Sequence, residues 1–253
     1  MSPEPLRGAP RSRVRPTLLL VHGAWHGSWC WERLVAPLAQ RGLVARTIDL
    51  PSVHGPATSQ QQLAAPAPPT AGLVEDAAAV RAVAAAIDGP VILCGHSYAG
   101  MVISLAASGS TRIARLVYLC AFVPDAGESL NAMGGGRPAP WIVLREDGTC
   151  IPDAARAADL FYSDCDAPTQ AWAMSRLRPQ AARAFSEPVP SPAWQQIPSS
   201  YIACAQDHCL PLDRQRRMAR KVDDTVLLEA SHSPFLSQPV PLAAHLASIA
   251  DRF

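Results

Sequence analysis

The stretch Val91-Ile92-Leu93-Cys94-Gly95-His96-Ser97-Tyr98-Ala99-Gly100 decides the fold, because an apolar run feeds straight into a Gly-x-Ser-x-Ala turn. Such a run reads as a buried strand, and Gly100-Met101-Val102-Ile103-Ser104-Leu105-Ala106-Ala107 reads as the helix that leaves the turn. A strand-turn-helix of this kind holds its central serine on a sharp, strained corner, with positions 95 and 99 small so that neighbouring backbone can pass. The helix N-terminus then points its partial positive charge at the serine, the polarity an oxyanion needs. The bare pattern is common. It becomes specific with a strand before it, a helix after it, and carboxylate and histidine candidates later in the order Ser, Asp, His.

On either side of this stretch, short apolar runs alternate with longer helical patterns. Strands are expected at 17–22, 44–49, 90–95, 114–122, 199–205 and 225–230, and helices at about 29–42, 74–88, 98–108, 211–221 and 240–251. That alternation predicts an α/β fold: a mostly parallel sheet of about six strands with helices on both faces, in one domain over residues 1–253. Two stretches interrupt it. Residues 51–72, with Pro51, Pro56, Pro66, Pro68 and Pro69, read as an irregular surface excursion. Residues 124–197, with Gly134-Gly135-Gly136 and short helical patterns carrying Phe161, Trp172 and Met174, read as a cap inserted over the carboxyl ends of the strands.

The 253 residues are 49% hydrophobic and 17% charged, enough for a sizeable core. A formal net charge of +1 and no long basic run give no footprint for nucleic acid or an anionic membrane, so the expected partner is a small-molecule substrate; a homodimer is left open. The seven cysteines form no Cys-x-x-Cys pair and read as reduced thiols of a cytoplasmic protein. Arginines 7, 11, 13 and 15 precede Thr17-Leu18-Leu19-Leu20-Val21, but this apolar run is too short for a signal peptide and reads as the first strand after a loose tail over about residues 1–15.

A serine hydroxyl needs a base, and the base an orienting carboxylate. His232 follows the last strand and Asp207 the strand before it, so the candidate triad is Ser97, Asp207 and His232. Asp125, after the earlier strand ending near Phe122, is the rival acid. Backbone N–H groups for an oxyanion are expected from Tyr98, directly after the serine, and from Ala24 in the glycine-rich loop Val21-His22-Gly23-Ala24-Trp25-His26-Gly27. His26, Phe161 and Trp172 are the substrate-contact candidates, and Trp141 is a further aromatic of the same segment. His22 and His96 are expected to brace their loops, His54, His208 and His245 to sit at the surface, and arginines 176, 178 and 183 to form a solvated face. No metal site and no organic cofactor are expected.

Taken together, the first-loop motif with Trp29 and Trp31, Asp49-Leu50-Pro51, Gly95-His96-Ser97-Tyr98-Ala99-Gly100, Asp207 and Ser231-His232-Ser233-Pro234-Phe235 resemble the esterase and hydroxynitrile lyase branch of the α/β-hydrolase superfamily. That branch includes the plant methylesterases and salicylate-binding esterases. The resemblance spans nearly the whole chain and implies the α/β-hydrolase fold and the same triad. Hydroxynitrile lyases of the branch carry threonine after the first-loop histidine and lysine after the catalytic histidine; here Gly23 and Ser233 stand there, which favours hydrolysis over cyanide elimination. The expected activity is therefore a serine hydrolase that cleaves a small to medium, largely apolar carboxylic ester or lactone through an acyl-enzyme. It should weaken as pH falls through roughly 6 to 7, because His232 must be neutral to act as base. The alternatives are a cofactor-free tailoring enzyme (C–C hydrolase, lyase or cyclase) using the same triad, and a ligand-binding protein on the same fold.

Overall fold

The computed structural model describes residues 15–53 and 71–252. Nearly all of the N-terminal tail, and most of the proline-rich excursion together with His54, lie outside the described residues. In chain order the first half contains β1 (Thr17–Val21), α1 (Glu32–Ala39), β2 (Ala45–Ile48), α2 (Leu73–Ala85), β3 (Val91–His96), α3 (Ala99–Ala106) and β4 (Ile113–Leu119). There follow α4 (Leu130–Met133), β5 (Ile142–Leu144), β6 (Thr149–Pro152), α5 (Ala154–Tyr162), α6 (Ala167–Met174) and β7 (Gln180–Ala181). The chain closes with β8 (Ser199–Cys204), α7 (Leu212–Ala219), β9 (Asp224–Leu228), α8 (Pro234–Ser237) and α9 (Pro239–Ala250).

Six strands pair in the order β2-β1-β3-β4-β8-β9, every pair parallel. β3 and β8 are buried at every residue, which is why apolar residues stand side by side in them and do not alternate with charged ones. The chain steps one way from β1 to β2 and the other way from β2 across to β3. Right-handed crossovers then put α1 and α2 on opposite faces. Accordingly α2 packs on α3, and α1 packs on α9. The reversal leaves a switch point between β1 and β3, the place where an open parallel sheet opens a crevice at its carboxyl edge.

Between β4 and β8 the chain leaves this sheet. α5 and α6 match the expected helical patterns, but a three-stranded antiparallel sheet in the order β5-β6-β7 was not expected there. Strands of two to four residues are too short to show a period of two. The one local signal was Asp147-Gly148, where Gly148 takes φ +78° and closes the β5–β6 hairpin. This segment is tied to the carboxyl edge of the main sheet. The indole N–H of Trp25 donates to the Cys150 carbonyl (3.0 Å), the backbone N–H of Arg178 to the Trp25 carbonyl (2.9 Å) and that of Ala181 to the Ser52 carbonyl (2.8 Å).

Candidate active site

Ser97 follows the last residue of β3 and holds φ at +53°, a left-handed conformation unfavourable for a side chain with a β-carbon. Neighbouring backbone imposes it: the Ser97 N–H donates to the Leu119 carbonyl (3.2 Å), while the Ser97 carbonyl accepts from Gly100 (3.1 Å) and Phe122 (3.2 Å). The corner also needs its glycines. A β-carbon at Gly95 would stand 2.7 Å from the Ala99 carbonyl oxygen, and one at Gly100 only 2.0 Å from that of Phe122. Serine is thus delivered to the carboxyl edge with its next residue, Tyr98, entering α3.

Asp207 and His232 form a buried pair, and His232 lines the same cavity as Ser97. His232 Nδ1 lies 2.7 Å from Asp207 Oδ2, and both side chains are buried. The second carboxylate oxygen, Oδ1, accepts from the backbone N–H groups of Cys209 (2.8 Å) and Leu210 (2.7 Å), and Oδ2 also accepts from Gln215 Nε2 (3.3 Å). With the carboxylate anchored as an acceptor, Nδ1 of His232 must be the donor, which leaves Nε2 as the basic nitrogen. Burial alone would push His232 down. The Asp207 carboxylate outweighs it and holds the imidazole well above its ordinary value. Asp125, the rival acid, is exposed, with its carboxylate on Lys221 (2.9 Å), and takes no part here.

The loop after β1 is braced by its histidines. His22 Nδ1 donates to the Gly23 carbonyl (2.8 Å) and its Nε2 accepts from the Leu50 N–H (3.0 Å); burial pushes this histidine down to about 4, so it is neutral. His26, pushed down to about 3 by burial, donates from Nδ1 to the Ala24 carbonyl (2.7 Å) and accepts at Nε2 from the Tyr162 hydroxyl (2.8 Å). Both nitrogens of His26 are therefore committed to the loop, and only its ring can face a ligand. Gly23 lets this loop approach the serine: a β-carbon there would lie 2.6 Å from His96 Nδ1 and 3.1 Å from Ser97 Cβ. A threonine at 23 is accordingly excluded by space as well as absent from the sequence.

A cavity of about 120 Å³ opens between the two loops and the inserted segment. Ala24, Trp25, His26, Ser97, Tyr98, Phe161 and His232 all line it, as does Trp141; Asn131, Arg137 and Arg214 are its polar lining from the inserted segment and α7. A larger groove of about 620 Å³ lies along α2 near Thr17, Arg46 and Ile87, with no serine, histidine or cysteine among the described residues of its wall, so size alone does not pick the site. Trp172 corrects its expectation: it does not line the cavity. Its ring packs edge-on against Trp29 (5.2 Å) and under the guanidinium of Arg176 (4.3 Å), an arrangement of lid packing. Phe161 stacks on Trp25 (5.9 Å) and tilts against His232 (5.9 Å), so this aromatic does reach the site.

Arg178 is the other correction. It is not on a solvated face: its side chain is 10% exposed and its Nη2 lies 3.6 Å from Asp49, whose carboxylate also accepts from the Ser28 N–H (2.5 Å). Despite burial, the Ser28 hydrogen bond and the Arg178 charge act to hold Asp49 below the usual carboxylate range. The main residues that sequence reasoning overlooked are polar ones in apolar registers. Asp76 is buried in α2 with Leu73, Ala77 and Val80, and Gln215 in α7 with Met218 and Ala219; a polar residue on an otherwise buried stripe was the available signal.

Among the described residues, one trio could in principle hold a metal: His96, Cys120 and His232, whose ligand atoms lie within 4.8 Å of one another. Burial raises the Cys120 thiol well above its ordinary value, so it stays protonated and is a poor ligand. Its Sγ and His96 Nε2 both point at the His232 carbonyl (3.4 and 2.8 Å), bracing the histidine backbone.

Residues 18–245 match the alpha/beta hydrolase family, and the chain belongs to it. Alpha/beta hydrolase nvfD of Aspergillus novofumigatus is 30% identical over 243 residues, 89% of this chain and 93% of that protein. Methylesterase 7 of Arabidopsis thaliana is 27% identical over 267 residues, covering 93% and 96%. The solved structure of a pyrethroid hydrolase from Sphingobium faniae superposes with a TM-score of 0.74 at 26% identity, covering 93% and 97%. The chain is thus an alpha/beta hydrolase with esterase relatives. No described helix is long and apolar enough to cross a membrane.

Proposed function

We propose that the protein is a serine esterase acting on a small, largely apolar carboxylic ester or lactone. The observation that carries this reading is the 2.7 Å contact of His232 with Asp207 at the cavity into which the strained Ser97 corner opens. Ser97 Oγ attacks the ester carbonyl while His232 Nε2 takes its proton, and the N–H groups of Tyr98 and Ala24 receive the charge that develops on the carbonyl oxygen. His232 returns the proton to the departing alkoxide. Water, activated by the same imidazole, then releases the acid from the acyl-serine.

The segment between β4 and β8 serves as the cap that selects substrate. Leu130, Trp141, Ile142 and Phe161 of this segment give the wall an apolar surface suited to a short alkyl or aryl group, and Asn131 and Arg137 of the same segment add polar groups. Among the described residues no carboxylate lines the cavity, whereas Arg137 and Arg214 do, so neutral or acidic esters are favoured over cationic ones. A fluorophosphonate probe tests the nucleophile. Labelling of Ser97 in the native protein and none in Ser97→Ala, with loss of ester hydrolysis, is the expected result; an unlabelled native protein would instead indicate a binding protein on this fold.

A further inference from the structure

The two proposed oxyanion donors come from different loops, one after β1 and one after β3, so their separation depends on whatever joins those loops. A buried polar chain does so. The Tyr98 hydroxyl donates to Asp76 Oδ2 (2.8 Å), and Asp76 also accepts from Ser52 through its hydroxyl (2.6 Å, at Oδ2) and its N–H (2.8 Å, at Oδ1). Ser52 Oγ in turn accepts from Gln180 Nε2 (2.9 Å), and Gln180 Oε1 accepts from the backbone N–H of Trp25 (3.0 Å), the residue next to Ala24. Every member is buried. The chain begins on the side chain of one donor residue and ends one peptide from the other.

We infer that Asp76 is a positioning residue for the oxyanion hole, holding the Ser97–Tyr98 corner and the Ala24–Trp25 loop in register through Ser52 and Gln180. The inference rests on the serine-esterase reading above. A carboxylate is what the geometry demands: three donors converge on its two oxygens, whereas an amide offers one acceptor oxygen and turns N–H groups toward donors that are already there. Trp25 itself is held at φ +61°, a conformation that needs such an external tie. Burial raises Asp76 to about 7, against the hydrogen bonds that favour its ionised form. The ionised carboxylate accepts all three bonds. A protonated one must turn a donor toward Ser52 or Tyr98 and lose part of the tie. The titratable groups facing it are Tyr98 from the corner and Glu75 from its own helix, the latter paired with Arg183 at 3.3 Å; Ser52 and Gln180 carry no charge.

The test uses full-length Asp76→Asn, Tyr98→Phe and their double variant on a short neutral ester, with Ser97→Ala alongside. Tyr98→Phe keeps the backbone N–H and removes only the phenol link, so it carries the test if Asp76→Asn folds poorly. Each single variant should lower kcat about 10- to 100-fold with KM within about twofold, because the lost contact acts on the transition state. The double variant should be no worse than the poorer single one, as expected of two links in one chain. The wild-type acid limb should be steeper than a single proton, since His232 and Asp76 must both lose theirs, and Asp76→Asn should reduce it to one. Native kcat in both single variants, or losses that multiply in the double variant, would overturn the inference while an inactive Ser97→Ala leaves the esterase reading standing. Full activity in Ser97→Ala would overturn that reading, and this inference with it.

Discussion

At the residue scale the proposed chemistry depends on one proton on one nitrogen. Asp207 accepts four hydrogen bonds and keeps its carboxylate aimed at His232 Nδ1, so Asp207→Asn would present an N–H to that nitrogen and favour the wrong tautomer. Turnover should fall by about 10⁴ with little change in the thermal transition. Asp125→Asn, which disturbs only the exposed pair with Lys221, should leave turnover intact; the reverse pattern would move the acid to Asp125. The pH dependence carries the same residue's signature. His232 works as a neutral base, and the adjacent carboxylate stabilises its protonated form, so activity should rise with pH through a limb that lies above the ordinary histidine value near 6.5. The limb of roughly 6 to 7 expected from the sequence is thereby displaced upward. A profile of kcat/KM that is flat from pH 6 to 8 would contradict the assignment of His232 as the base.

At the scale of elements, the sheet was legible because its inner parallel strands, buried on both faces, leave short apolar runs between turn signals, and all six strands stand within a few residues of their expected places. The corner at Ser97 and the loop ends at Asp207 and His232 were legible for a related reason, since each lies directly after such a run. The inserted segment was not. Its strands are short, its aromatics look alike in sequence, and only the tertiary contacts separate Phe161 at the cavity from Trp172 under Arg176. Asp76, Ser52 and Gln180 escaped notice because they come together from α2, a loop and β7, a juxtaposition with no local pattern. The contrast between the two aromatics gives a direct comparison. Phe161→Ala should change the ratio of kcat/KM for a bulky aryl ester over an acetate ester by about 1 to 3 kcal/mol. Trp172→Ala should leave that ratio unchanged and lower stability instead, by about 1 to 3 kcal/mol for lost aromatic packing. Equal shifts of the ratio in both would place Trp172 in the substrate path.

At the scale of the whole molecule, one continuous apolar core runs from the sheet through both helix pairs and into the inserted segment, so a charge buried anywhere in it is felt in the free energy of folding. Asp76 is the clearest case, because its carboxyl lies fully inside that core and titrates near 7 in the fold against 3.8 for an unperturbed aspartate. Below pH 3.8 the folded and unfolded chains both hold the proton. Between there and about 7 the folded chain keeps a proton that the unfolded chain has released, so stability from this group falls as pH rises, by up to about 1.4 kcal/mol per pH unit. Above 7 the loss is complete. Asp76→Asn carries no such proton, and every other titrating group is common to the two proteins and cancels in the comparison. The difference in unfolding free energy between Asp76→Asn and the wild type should therefore move in the variant's favour from pH 4 to pH 8 by a few kcal/mol, about 4 at most. It should do so whatever constant penalty the misplaced amide adds. Urea unfolding at pH 4, 5, 6, 7 and 8 measures it directly. A difference that stays level across that range would mean that the fold ionises Asp76 at an ordinary pH, with the Ser52 and Tyr98 donors fully offsetting its burial.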